Sequence, residues 1–273
     1  GSPAPFAALC RGLAAINGKP GRLDTLTALV NMFRVLLAGG PVSSVVASVW
    51  LSLGVTGPPW RSPSLGIGSS AVVKAITEAC GVDKKALSGA YRGCGDLGDA
   101  AASCKGSAKQ TLLFSRPKLL TVDGVLDAVR SLAGVTGAGA VTGKHRILVA
   151  ALRAATEPDM LRFLVRILVA DLRVGANEIT VLSALAAAVV IHKHPEPPAG
   201  IVALSVPEGR KGPPAKRRLV AACFDAMDAV LTCHNVMPDL EVLIPALVDG
   251  GVDGMKATAV FRAGIPVRPM LAK

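Results

Sequence analysis

Aromatic side chains are scarce in this 273-residue chain: six Phe, two Trp and one Tyr. The core must therefore be built mainly from Ala, Val and Leu, which suits closely spaced helices with small residues at their crossings. The six cysteines (10, 80, 94, 104, 223 and 233) include no Cys-x-x-Cys pair. That argues against zinc or a disulfide frame, and for buried thiols in a reducing compartment. No positively charged segment leads into an apolar one at the start, so no secretory leader is visible. Gly1-Ser2 reads as a cloning remnant, in which case an upstream targeting signal would be lost.

An unbroken apolar run of membrane-spanning length is also missing. Val35 to Trp60 carries no charge, but Gly39-Gly40-Pro41 and Gly57-Pro58-Pro59 interrupt it. What remains is an apolar core of about 14 residues, short of the roughly 20 that a spanning helix needs. Ile179 to Ile191 is shorter still. No membrane partner is expected.

Acidic residues are few, 19 against 30 basic, for a formal charge of +11 and a pI near 9.7. Such an excess favours a polyanion as partner. It is uneven: residues 1–115 hold 11 basic and 5 acidic residues, 116–194 hold 10 and 6, and 195–273 hold 9 and 8. The basic footprint is expected on the first two thirds.

Helical periodicity dominates and alternating, strand-like runs are few. The expected fold is all-α, with about twelve helices near 4–17, 22–38, 42–53, 69–80, 83–93, 97–104, 122–133, 144–155, 158–170, 178–193, 214–233 and 239–249. Pro158 and Pro238 suit first helical turns, Thr121 and Asn177 suit N-caps, and Gly18, Gly40, Gly81 and Gly134 sit where helices should stop. Residues 1–263 read as one helical domain in two lobes, roughly 1–115 and 116–263, separated by the loose stretch Ser107 to Thr121. The proline-laden stretch His194 to Pro214 reads as a surface excursion.

Two stretches have the makings of a binding site. Leu132 to Arg146 places a Gly/Thr-rich loop before a helix that opens with Gly143-Lys144-His145-Arg146. Free N–H groups, the helix dipole and close backbone approach at glycine make such a joint a phosphate site, though a plain solvated loop has the same composition. It is not a nucleotide-hydrolysing P-loop, because Ala138 stands where the first glycine belongs and His145 follows the lysine. The second stretch runs from Met160 to Glu178. Arg162 and Arg166 share a helix face, and Arg173 stands at a corner between two helices. The competing reading pairs these arginines with Asp171 and Glu178 on a solvated surface.

His192-x-His194 and Cys233-His234 lack a third ligand at metal spacing, so no metal site is expected. Lys216-Arg217-Arg218, beside Arg210-Lys211, is either a phosphate patch, an import signal or a solvated face. Trp50 and Trp60 flank the Gly-Pro-Pro turn and are expected to pack in the core.

Several motifs occur in a fixed order: Trp50-Leu-Ser-Leu, Gly57-Pro58-Pro59, Leu65-Gly66-Ile67-Gly68, Gly95-Asp96-Leu97-Gly98, Leu172-Arg173-Val174-Gly175, Pro238-Asp-Leu-x3-Ile-Pro245 and Gly264-Ile-Pro-x-x-Pro-Met-Leu-Ala. In that order they resemble the N-terminal DNA-binding domain of ATP-dependent DNA ligases of the DNA ligase I family, over almost the whole chain. The resemblance implies an all-helical domain that grips nicked or intact double-stranded DNA from the minor groove, without sequence preference. It implies DNA contacts at Gly66, Gly68, Gly137, Lys144, Arg173 and Gly175; the loop reading adds Gly143 and Arg146. Residues 264–273 would form the linker into an adenylation domain.

No catalytic residue is expected here. The family's AMP-accepting Lys-x-Asp-Gly motif is missing, since the two x-Asp-Gly triplets are led by Thr121 and Gly251. No cofactor is expected in this chain, whereas the full-length enzyme would use ATP and Mg2+. A nuclear location, with an organelle as the alternative, and recruitment by a sliding clamp through regions outside this chain follow from the resemblance. The alternative function is a helical protein-interaction scaffold.

Overall fold

The computed structural model describes residues 1–17, 21–61, 64–107, 119–204 and 213–266. Twelve helices follow in chain order: α1 (Phe6–Ile16), α2 (Arg22–Gly39), α3 (Val42–Ser52), α4 (Ser69–Cys80), α5 (Lys84–Cys94), α6 (Leu97–Ser107), α7 (Val122–Gly134), α8 (Ala140–Ala154), α9 (Pro158–Leu168), α10 (Glu178–His192), α11 (Pro214–Val236) and α12 (Leu240–Thr258). Among the described residues the one β-type pairing is an isolated bridge between Pro5 and Thr121. The fold is all-α, as the sequence pattern implies.

Most starts and stops follow from local chemistry. Asp83, Thr121, Asn177 and Asp239 cap α5, α7, α10 and α12 by accepting from backbone N–H groups of the first turn. Gly81 and Gly95 end α4 and α5 in the left-handed conformation, where glycine carries no Cβ penalty. The last helix runs further than its glycines suggest. It continues to Thr258 through a kink at Gly251 (φ 68°, ψ −161°) instead of ending at Asp249. Glycine tolerates that backbone, so the chain resumes helical geometry beyond it.

The chain divides into two compact units, one of Gly1–Ala4, Gly12–Val49 and Val174–Lys273, the other of Pro5–Arg11 and Trp50–Arg173. The lobe boundary expected at 115/116 lies outside the described residues, as does most of the expected 264–273 linker.

The first unit is organised around α10, which packs on α2, α11 and α12. Eleven of its fifteen residues are buried, among them Ala184, Ala186, Ala187 and Ala188. Small side chains there let neighbouring backbones come close. Gly12 makes a similar approach to α2, since a Cβ on it would fall 2.2 Å from Met32 Cγ. The first part of the proline-rich excursion is pinned. Asn31 pairs with the backbone of Val202 in both directions, and Arg34 donates to the carbonyls of Pro198 and Gly200. Of all the described helices, α11 alone is long and apolar enough to cross a membrane by length and composition. One face of it, including Val220, Cys223, Met227 and Val230, is buried, and it packs on α10 and α12.

In the second unit α4 packs on α8, α6 on α9, α5 on α6 and α7 on α8. Phe163, Leu164 and Ile167 bring the apolar face of α9 into its core. Trp50 is buried, in keeping with the core role expected of it, and its indole nitrogen has no partner among the described residues.

Candidate functional site

Of the 30 basic and 19 acidic residues, 17 and 9 fall in the second unit, a charge of +8, against 13 and 10, or +3, in the first. The polyanion-binding reading therefore points to Trp50–Arg173, where six of the eight expected contact residues stand in the loops before α4 and α8 and at the start of α8, and a seventh, Arg173, at its end.

The loop before α4 is built on Gly66, which is left-handed (φ 58°). Lys144, from the first turns of α8, donates to the carbonyls of Leu65 (2.7 Å) and Gly66 (3.3 Å). Residues 66 and 144 are thus brought together, with the lysine clamping the loop. Gly68 is the N-cap of α4 and Gly139 that of α8, and neither helix start has a side-chain cap. A Cβ on Gly68 would meet only Ser70 Oγ, at 3.8 Å, so packing does not demand glycine there. Gly137 and Gly139 are left-handed (φ 81° and 83°) with open space around them. Gly143 differs in having a neighbour: a Cβ there would lie 3.1 Å from Val135 Cγ1, which would have to shift slightly. Arg146 is exposed and makes no ion pair among the described residues. The result is two glycine-led helix N-termini without side-chain caps, suited to an anion.

Arg173 does stand at a corner, and the corner is strained: Arg173 (φ 52°) and Ala170 (φ 54°) are both left-handed without being glycine. Its guanidinium donates to Asp171 (2.7 Å) and to the carbonyl of Gly95 (2.9 Å), with Asp96 at 3.6 Å. The hydrogen bond to Asp171 raises its pKa further above the ordinary arginine value. Asp171 therefore pairs as the surface reading expects, but with Arg173 alone. Gly175, exposed and left-handed (φ 64°), belongs to the other unit.

Arg166 departs from a solvated face altogether, and Arg162 is half-buried. Arg166 is 3% exposed and binds Asp96 and Asp99 (3.1 Å each), with its guanidinium over the Phe163 ring. Arg162 bonds Asp99 (2.6 Å) and Asp159. Asp96 also caps α6 through the Asp99 N–H (2.8 Å). A Cβ on Gly98 would lie 2.5 Å from the Arg162 carbonyl. Gly95-Asp96-Leu97-Gly98 is thus a cap, a buried counter-charge and a close helix crossing in four residues. The aspartates three apart before an apolar run offered a signal for the cap; nothing local signalled an arginine 70 residues away.

Lys216, Arg217 and Arg218 are exposed at the start of α11, while Arg210 and Lys211 lie outside the described residues. His194 bonds the Glu196 backbone and His234 faces Glu178 at 3.5 Å. The Thr121 and Gly251 triplets lie in α7's cap and first turn and within α12.

The sequence model of the DNA ligase N terminus matches residues 5–186, the greater part of the chain and the whole of the second unit. The chain belongs to the DNA ligase N-terminus family. It is 34% identical over 275 residues to DNA ligase 1 of Arabidopsis thaliana, covering all of this chain and 32% of that protein. Similarity to DNA ligase 6 of the same plant is 32% over 278 residues, again the whole chain but 18% of the relative. A DNA ligase of Pyrobaculum arsenaticum is 30% identical over 271 residues, 98% of this chain and 39% of the relative. The chain thus spans from under one fifth to about two fifths of these ligases.

Proposed function

We propose that this ligase N-terminal domain binds double-stranded DNA, nicked or intact, and holds it for an ATP-dependent ligase that seals nicks in replication and repair. The observation that carries this reading is the pair of uncapped, glycine-led N-termini of α4 and α8, joined by the Lys144 clamp in the more basic unit. Backbone N–H groups and cations address phosphate and sugar, which every DNA sequence presents alike, so a nick in any sequence is accepted. The expected contacts are Gly66, Gly68, Gly137, Gly143, Lys144, Arg146, Arg173 and Gly175.

No ATP site is expected in this domain. The Lys-x-Asp-Gly motif is missing and the Ala138–Lys144 loop departs from a P-loop at both ends. ATP and Mg2+ would be used by other parts of the full-length enzyme, and this domain supplies positioning. Alone, it is expected to seal no nicks. A nuclear role, with an organelle as the alternative, and clamp recruitment through regions outside this chain belong to the same reading.

The test is a fluorescence anisotropy titration with nicked duplex, intact duplex and single strand at several salt concentrations. With about four to six phosphates neutralised, log K should fall against log[salt] with a slope near −4 to −5. Absence of duplex binding at low salt would favour the protein-interaction scaffold.

A further inference from the structure

Helix α5 stands largely in solvent: of its eleven residues Leu87 alone is buried, while Lys84, Lys85, Tyr91 and Arg92 are exposed. Nothing in its own packing accounts for so basic a helix with an aromatic ring 47% exposed. Beside it lies a groove of about 530 Å³. Its polar wall brings together Ser69 and Ser70 from the uncapped start of α4, Lys84, Ser88 and Tyr91 from α5, and Arg173. Its floor is apolar, formed by Val73, Leu87, Leu97 and Val169. The one carboxylate on the wall, Asp171, is already bonded to Arg173.

Four hydroxyls and two cations over an apolar floor match one chemical unit closely. A phosphodiester takes hydrogen bonds from the hydroxyls and charge from the cations, and the adjoining deoxyribose presents C–H surface to the floor. The volume falls within the range of small-ligand sites, enough for a nucleotide unit. We propose that this groove is a seat for a sugar–phosphate unit of the DNA backbone, with Lys84, Ser88 and Tyr91 of α5 as contact residues. The inference rests on the duplex-binding reading above and adds α5 to the surface assigned there.

Lys84 and Lys85 allow a sharp test. They are adjacent, exposed and of equal charge, but only Lys84 lines the groove. Duplex titrations across a salt series would compare Lys84→Ala, Lys85→Ala and Tyr91→Phe with the parent chain, with helix content by circular dichroism as the folding control. The seat predicts that Lys84→Ala weakens duplex binding about five- to tenfold and lowers the salt slope by about one unit. Lys85→Ala should change affinity less than twofold, by the weak worth of a solvated charge. Tyr91→Phe should weaken binding with the slope unchanged. Equal losses for the two lysines would overturn the seat in favour of a diffuse basic face. So would an unchanged Lys84→Ala beside a weakened Lys144→Ala, with the duplex reading intact. Failure of the parent chain to bind duplex would instead sink that reading. Capture of a polyglutamate peptide through Lys84, without duplex binding, would reassign the groove to acidic protein and overturn the proposal.

Discussion

At Gly66 and Gly98 a single added methyl group would be felt, for unlike reasons. Gly66 is left-handed, and its new Cβ would sit 2.7 Å from Lys144 Nζ. The lysine end is flexible and can retreat, so the cost is mainly conformational. Gly66→Ala should destabilise by about 1–2 kcal/mol and release the Lys144 clamp, weakening duplex binding; urea unfolding and anisotropy read the two effects separately. Gly98 has no unusual backbone, but its neighbour at 2.5 Å is a backbone carbonyl that cannot swing aside. Gly98→Ala should force α6 from α9 and cost about 1–3 kcal/mol in a urea titration. Glu78 offers a pH test. Its hydrogen bond to His145 (2.7 Å) holds its pKa below the ordinary value near 4.5, with Arg153 at 3.6 Å adding to the effect. A lowered folded-state pKa contributes stability above the unfolded value, and loses it as pH falls through the folded one. Glu78→Gln should therefore flatten the acid limb of the stability profile below about pH 4.5.

Among the helices, those that begin at Asp83, Thr121, Asn177 and Asp239 are closed by side chains, whereas α2, α4 and α8 begin at glycines without a side-chain cap, the last two of them beside Lys144. Gly68→Asp tests whether that difference serves binding. The backbone at Gly68 (φ −88°, ψ 159°) suits any residue. A carboxylate cap should gain a few tenths of a kcal/mol in stability. It would also place a negative charge where phosphate is expected, so thermal stability should rise while duplex affinity falls. Caps and breakers are local, which is why twenty-two of the twenty-four expected helix ends lie within three residues of their observed positions; α8 begins at Ala140, four residues before the expected 144, because Gly139 starts it. The stop expected at Asp249 is an exception in the other direction: α12 outruns Gly250-Gly251 because glycine permits the kink. What was not legible is what sequence distance hides. Lys144 meets a loop 78 residues away, and Arg166, read as one of two surface arginines, is neutralised by Asp96 from 70 residues away. Periodicity placed Arg162 and Arg166 on one face of α9, but which partner covers that face is a tertiary fact.

For the molecule as a whole, the two units carry separate internal reporters. Cys10 is buried in one and Cys223 in the other, and burial pushes both thiols up, Cys223 to about 11. A raised thiol is mostly protonated and therefore slow to react. Cys94 is exposed. In the native protein Cys94 should react first with a thiol-specific disulfide reagent. Cys10 and Cys223 should follow only as urea opens the unit that holds each, and mass spectrometry of the labelled peptides would show which opens first.

The cluster around Arg166 also bears on how this chain can vary. Removing one member of a buried ion pair strands the other charge at a cost of about 3–5 kcal/mol, a large part of the margin of a typical domain. Asp96 serves Arg166 and the start of α6 at once, and Gly98 admits the α9 backbone that carries the arginine. Drift at any one of these positions is therefore closed unless the others move with it. Asp96, Gly98 and Arg166 should pass between lineages as a single inherited character, kept together or replaced together.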